Sequence, residues 1–141
     1  MTRTAMSRTA TARIALLAAA VVTAGIAAAP PVRAAPDATR GGQIYVRCVA
    51  CHAPAADRVG PHHCGLLGRR AGSVPDFAYS DAMKRSGIVW NDQSLDRFLA
   101  APMKAVPGTT MTYDGIADRD ERADLIAYLR QIDRLPDCRT A

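Results

Sequence analysis

A pentapeptide with two cysteines and a histidine, Cys-Val-Ala-Cys-His at 48–52, constrains this chain more than any other stretch. Two thiols at this spacing can add across the two vinyl groups of a haem, and the imidazole can reach the iron from the same segment. The alternatives are a redox dithiol, which does not require His52, and half of a zinc site, for which no second ligand pair follows. The pentapeptide therefore predicts one haem c attached covalently through Cys48 and Cys51.

The first third of the chain looks like an export segment. Three arginines precede an apolar run at 14–29, and a small-residue pattern suited to signal peptidase ends at Ala34. An uncleaved anchor is the alternative, but the run is short and rich in alanine. We therefore expect a secretory signal peptide at 1–34 and one domain at 35–141, located in the periplasm without stable membrane insertion once the signal is cleaved.

The net charge of +5 gives no reason to expect nucleic-acid binding. The export segment contains four arginines and no acidic residue, so its removal leaves a net charge of about +1. The remaining domain is small, and its core would be marginal without a buried cofactor.

Helix caps in the first two thirds of the domain predict short helices rather than strands. Asp37 or Thr39 can cap a helix over 40–47, and Ser80 can cap another over 81–86. Between them, four glycines and a proline at 60–72 predict a folded loop, for which a haem is the obvious support.

The rest of the chain predicts two more helices. Asn91 can cap one that Pro102 ends. In the last, Asp118 and Glu121 are spaced like a capping box, and apolar residues recur at helical intervals as far as Ile132. No segment alternates apolar and polar residues, so we predict an all-α fold of helices and loops wrapped around the haem.

The iron needs a second axial ligand, and the domain offers Met83, Met103, Met111, His62 and His63. Met111 is favoured because it follows a loop stiffened by proline and glycine, which can hold a thioether against the iron. Met83 and Met103 lie on or beside predicted helices, where a core or surface role is more common.

Seven motifs, in order, resemble the class I c-type cytochromes of the mitochondrial and bacterial short-chain type. They are Cys-Val-Ala-Cys-His at 48–52, Val-Gly-Pro at 59–61, Gly-Leu-Leu-Gly-Arg at 65–69, Phe-Ala-Tyr-Ser at 77–80, Gly-Ile-Val-Trp at 87–90, Pro-Gly-Thr-Thr-Met at 107–111 and Glu-Arg-Ala-Asp-Leu-Ile-Ala-Tyr-Leu at 121–129. The resemblance implies the small cytochrome c fold.

The resemblance also implies roles for individual residues. His52 and Met111 would be the axial ligands, and the Pro61 carbonyl would accept the other imidazole N–H. Four residues match positions that contact the haem propionates or their surroundings, although core packing, a solvated charge or a turn would also explain them: Arg69, Tyr79, Trp90 and Thr109. His62 and His63 would lie on the His52 side of the haem, where a sixth ligand is not expected.

The implied function is a monomeric one-electron carrier, not an enzyme, that docks redox protein partners at the haem edge near Tyr113. Only part of the lysine ring that mitochondrial relatives use for docking has a counterpart here, so docking should be less sensitive to salt. Phe98 replaces a common tyrosine near the methionine ligand. This motivates an alternative, a haem peroxidase or ligand sensor in which Met111 dissociates; a module dedicated to one dehydrogenase is a third reading.

Cys64 and Cys138 remain after the haem is attached. Two unpaired thiols are uncommon in an exported protein, and the C-terminal tail of the implied fold could return near Cys64. We therefore predict a disulfide between them, with two inert thiols as the alternative.

Overall fold

The protein was analysed as a computed structural model that describes residues 34–139, so all of the proposed signal peptide except Ala34 lies outside the described residues. The described part has helices and loops but no strand, which confirms the all-α prediction. The helices are α1 (Ala38–Tyr45), α2 (Asp81–Arg85), α3 (Asp92–Ala100), α4 (Pro102–Ala105), α5 (Arg119–Leu129), a 3-10 turn (Ile132–Arg134) and α6 (Pro136–Arg139).

Three of the predicted helix caps are present. The Asp37 carboxylate accepts from the first backbone N–H groups of α1, and the Ser80 hydroxyl accepts from the Met83 N–H in α2. At α3, the Asn91 side chain accepts from the Ser94 N–H, while the Ser94 hydroxyl accepts from the Asn91 N–H. Each cap satisfies backbone donors that the first turn of a helix leaves unpaired.

Other helix boundaries were predicted less well. α1 ends at Tyr45 instead of continuing to Arg47, and tight turns carry the chain through the pentapeptide. α3 ends at Ala100, just before Pro102 as predicted, but Pro102 is also the first residue of α4, a helix that was not predicted. Proline is well suited to that position because the first helical N–H has no partner within the helix.

The predicted capping box on α5 is only half formed. Asp118 accepts from the Asp120 and Glu121 N–H groups, whereas the Glu121 carboxylate binds Arg47 at 2.7 and 3.1 Å. The helix ends at Leu129, and the fully buried Ile132 begins the 3-10 turn. The Glu121 side chain, which the local spacing assigned to the capping box, therefore forms a long-range ion pair instead.

α1 and α5 cross in close contact at Gly41. A Cβ atom on Gly41 would lie 2.0 Å from the Asp124 carbonyl oxygen, whereas one on Gly42 would lie 3.3 Å from the Tyr128 ring. The first neighbour is helix backbone and cannot move independently, but the second is a side chain that can shift. The crossing therefore requires glycine at 41 but not at 42.

We expect Gly41→Ala to lower the free energy of unfolding by about 1–3 kcal/mol, because the methyl group forces the two helices apart. Gly42→Ala is the matched control and should be neutral or stabilising by up to about 1 kcal/mol, since alanine favours the helix. Guanidinium unfolding of both variants measures the difference. Equal losses at the two positions would contradict a crossing that depends on Gly41.

Asp124 on α5 holds the start of α1. Its carboxylate is almost fully buried, accepts from the Asp37 N–H at 2.7 Å and pairs with the Arg40 guanidinium. The hydrogen bond from Arg40 is the main reason that the pKa of Asp124 lies below its usual value. The folded state therefore favours the ionised carboxylate at this site.

This lowered pKa predicts acid sensitivity. The folded chain binds the proton less readily than the unfolded chain, whose aspartates titrate near pH 3.9, so the stabilisation is present above about pH 4 and is lost as the pH falls through the folded pKa. We expect Asp124→Asn to lower the urea midpoint at pH 7, with a gap from wild type that narrows below pH 4. Asp81→Asn, which removes an exposed pair with Arg85, should change little. A gap for Asp124→Asn that is independent of pH would count against this explanation.

The C-terminal segment is attached to the loop that follows Pro61. Cys64 and Cys138 form a disulfide with Cα atoms 5.4 Å apart, and the Gly65 N–H donates to the Asp133 carboxylate. The short helix α6, which carries Cys138, was not predicted from the sequence. Within residues 34–139, no helix has the length and apolar character needed to cross a membrane.

Candidate cofactor-binding site

One largely apolar cavity of about 320 Å³ brings the predicted site residues together. Its volume lies in the usual range for small-molecule sites. Its walls come from the pentapeptide, the loop after it, α3 and α5, and the loop before Met111. All nine predicted contact residues line it: Cys48, Cys51, His52, Pro61, Arg69, Tyr79, Trp90, Thr109 and Met111.

The pentapeptide forms a tight turn at the edge of this cavity. The Cys48 carbonyl accepts from the Cys51 N–H at 3.1 Å and from the His52 N–H at 2.9 Å. Neither Cys48 nor Cys51 is in a disulfide, and burial raises the pKa of the Cys48 thiol to about 11. A redox dithiol depends on a lowered thiol pKa, so this environment argues against that alternative.

His52 is buried beside Gly60 and Pro61. Its Nδ1 lies 2.7 Å from the Pro61 carbonyl oxygen, which can only accept, so Nδ1 carries the proton and Nε2 keeps its lone pair. Burial also lowers the pKa of the imidazole and favours the neutral form. A Cβ on Gly60 would lie 2.2 Å from His52 Cε1. This arrangement produces a neutral imidazole with a fixed tautomer, whose Nε2 can bind a metal.

Met111 lies on the non-helical loop after α4, as the sequence predicted. Gly108 adopts a φ of +89°, and the Thr109 N–H donates to the Val106 carbonyl at 3.0 Å. The Thr109 hydroxyl oxygen then accepts from the Met111 N–H at 3.3 Å. Thr109 therefore shapes the loop that presents the thioether, whether or not it also contacts a cofactor.

The other two candidate methionines differ in position. Met83 is buried on α2 and also lines the cavity, whereas Met103 on α4 is 46% exposed and does not line it. Met111 is half-buried against the core. Only Met111 combines a place in the cavity with a loop free of helical constraints.

Hydrogen-bond donors that could bind the acidic groups of a cofactor also line the cavity. The Arg69 guanidinium is half-buried and donates to the carbonyls of Cys64 and His62 at 2.8 and 2.7 Å, so it is not a solvated charge. Trp90 is buried and lines the cavity. Tyr79 lies near Arg69, and burial raises the pKa of its phenol. A buried carboxylate needs neighbours of this kind.

The two histidines after Pro61 have different surroundings. His62 binds Asp57 through both its backbone N–H and its Nδ1. The His63 ring stacks on the His52 ring, with centroids 4.4 Å apart, and its Nδ1 lies 2.9 Å from the Tyr45 hydroxyl. Burial lowers the pKa of His63 to about 3. The contact between His63 and Tyr45 was not predicted from the sequence. The signal that could have indicated it was a polar residue, His63, two positions after the predicted hydrogen-bond acceptor Pro61.

Phe98 lies in the cavity wall and packs edge-on against Trp90, with ring centroids 5.1 Å apart. An aromatic pair of this geometry adds to the stability that burial alone provides. The position thus carries a packing side chain without a hydroxyl to offer the cavity.

The comparisons with known proteins agree with this geometry. The family model described as Cytochrome c matches residues 38–133. A cytochrome c2 of Blastochloris viridis is 41% identical over 108 residues, which cover 74% of this chain and 85% of the relative. A cytochrome c2 of Agrobacterium tumefaciens is 46% identical over 99 residues, covering 66% of this chain and 89% of that protein.

A solved structure is also similar. Cytochrome cH from Methylobacterium extorquens is 42% identical and superposes with a TM-score of 0.66, covering 67% of this chain and 98% of its own. The match covers the same domain that holds the cavity, so the resemblance inferred from seven short motifs extends to the fold.

Proposed function

Because the chain belongs to the cytochrome c family, we propose that it is a one-electron carrier with a single haem c held by Cys48 and Cys51. One observation supports this most strongly: both thiols, the His52 imidazole and the Met111 side chain border the same apolar cavity. The same cavity is lined by Arg69 and Trp90, which offer a cation and an indole N–H to acidic groups. The residues that line the cavity therefore suit a covalently attached haem.

Each residue would have a defined part. Cys48 and Cys51 would anchor the group by thioether bonds, His52 Nε2 would bind the iron from one side and the Met111 thioether from the other. The Pro61 carbonyl would raise the basicity of His52, and Arg69, Tyr79, Trp90 and Thr109 would surround the propionates. The haem itself supplies an iron that takes up and gives back one electron.

Two protein ligands leave the iron no vacancy, which favours electron transfer over turnover. Methionine opposite histidine should give a higher reduction potential than two histidines would. No pair of groups in the described site resembles an acid–base couple or an activated nucleophile arranged for catalysis. The chain would therefore act as a carrier and not as an enzyme.

We further propose that the carrier is a periplasmic monomer that meets redox protein partners at the haem edge. The supporting feature is the export-like segment at 1–34. Some of the basic residues expected to guide docking are engaged: Arg47 pairs with Glu121, and Arg58 donates to the Val49 carbonyl. Encounter rates should therefore fall less with salt than in a carrier that docks through a full lysine ring.

The test uses the protein purified from an export-competent host that attaches haem. We expect pigment that stays on the chain in denaturant, a reversible one-electron titration, and a methionine-to-iron charge-transfer band in the oxidised form at neutral pH. Absence of covalent pigment would refute the proposal. Loss of that band together with ready cyanide binding would favour the alternative, a peroxidase or sensor in which Met111 leaves the iron.

A further inference from the structure

Among the contacts of the His52 ring, those with Pro61 and His63 restrict the ring in different ways. The hydrogen bond from Nδ1 to the Pro61 carbonyl fixes where Nδ1 points, but a single hydrogen bond tolerates rotation of the ring about its own axis. The His63 ring lies over it with an interplanar angle of 21° and a centroid distance of 4.4 Å. A stacked ring resists that rotation, because tilting one plane brings its atoms into the other.

His63 is itself fixed. Its Nδ1 is hydrogen-bonded to the Tyr45 hydroxyl at 2.9 Å, and the two rings also meet edge-on with centroids 5.6 Å apart. Tyr45 is buried at the end of α1, where its ring also packs against Tyr128. The His63 ring is therefore linked through Tyr45 to the closely packed crossing of α1 and α5.

We infer that His63 is a positioning residue that, anchored by Tyr45, sets the plane of the His52 imidazole over the iron. The inference rests on the proposed ligation by His52. The plane of an axial imidazole determines which iron orbitals it overlaps, and so how unpaired electron density spreads over the porphyrin in the oxidised state. A leucine would fill the space without offering a flat face or a nitrogen for Tyr45.

The test measures the haem methyl proton shifts of the oxidised holoprotein by NMR, together with the midpoint potential. The spread of these shifts reports the orientation of the axial ligand plane. We expect His63→Leu to change the spread and to shift the potential. Tyr45→Phe should change the spread in the same direction by a smaller amount, since the stacking ring stays but loses its anchor.

A double variant tests whether the two residues act in series. Once His63 is leucine, the Tyr45 hydroxyl has no ring nitrogen to bond. The double variant His63→Leu with Tyr45→Phe should therefore give the same spread of methyl shifts as His63→Leu alone. Tyr128→Phe is the matched control: it removes a neighbouring phenol that has no hydrogen-bond partner in the described part of the chain, and it should leave the spread unchanged.

A purely structural role for His63 would lower the melting temperature without altering the spread of the methyl shifts, and that result overturns the inference. Additive effects of the two substitutions on the spread of the methyl shifts would also overturn the inference. Tyr45→Phe keeps the test decisive if His63→Leu folds poorly. A wild-type protein without histidine and methionine ligation would instead refute the proposed function.

Discussion

Replacing Met111 by alanine is expected to abolish the methionine-to-iron charge-transfer band and to lower the reduction potential by on the order of a few hundred millivolts, since the choice of axial ligands spans roughly 0.8 V. As the proposed ligand, the thioether would stabilise the reduced iron, and water or a nearby base in its place would favour the oxidised state. The vacated position should also bind cyanide readily. Spectroscopy and redox titration of the holoprotein measure all three effects.

Met103→Ala is the matched control for this variant. Met103 lies on α4, only eight positions earlier, but it is exposed and outside the cavity. Its removal should leave the band, the potential and the cyanide affinity unchanged. If Met111→Ala kept the wild-type potential, Met83, which lines the same cavity, would become the candidate ligand.

Loss of the Cys64–Cys138 disulfide is the second large effect that we expect. The cysteines are 74 positions apart, and the chain-entropy model gives about 4.5 kcal/mol for a loop of that length. Disulfides often contribute less than this model predicts, so we expect Cys64→Ser with Cys138→Ser to cost about 2–4 kcal/mol. Guanidinium unfolding of the oxidised holoprotein gives this value.

The single variant Cys64→Ser serves as the control. It should lose the same stability as the double variant, because either substitution opens the loop. Alkylation followed by mass measurement adds an independent check on the wild type. Two modified thiols without prior reduction, or an unchanged midpoint in the double variant, would show that the bond does not form in the purified protein.

Much of this fold could be predicted because its determinants are local. Asp37, Ser80 and Asn91 cap helices through bonds to backbone only two or three positions away, and such patterns are visible in the sequence. The haem-binding turn is likewise contained within five residues. Met111 was favoured as a candidate ligand by the proline and glycine of its loop, and the resemblance to a family supported the same choice.

What could not be predicted depends on contacts between distant segments. Glu121 was assigned to a capping box, but its carboxylate binds Arg47 from another part of the chain. Asp124 holds the start of α1 although 84 positions separate it from Arg40. The stack of His63 on His52 required the path of the loop after Pro61, which no periodicity encodes. These interactions are properties of the packed domain.

The attachment of the loop after Pro61 has a consequence for the rate of electron exchange. His52 holds this loop through the Pro61 carbonyl, the disulfide holds it at Cys64, and Asp133 holds it at Gly65. A segment secured at three points can shift only slightly when the iron gains or loses an electron. The reorganisation energy on the imidazole side should therefore be small, and transfer can remain fast even when the driving force is slight.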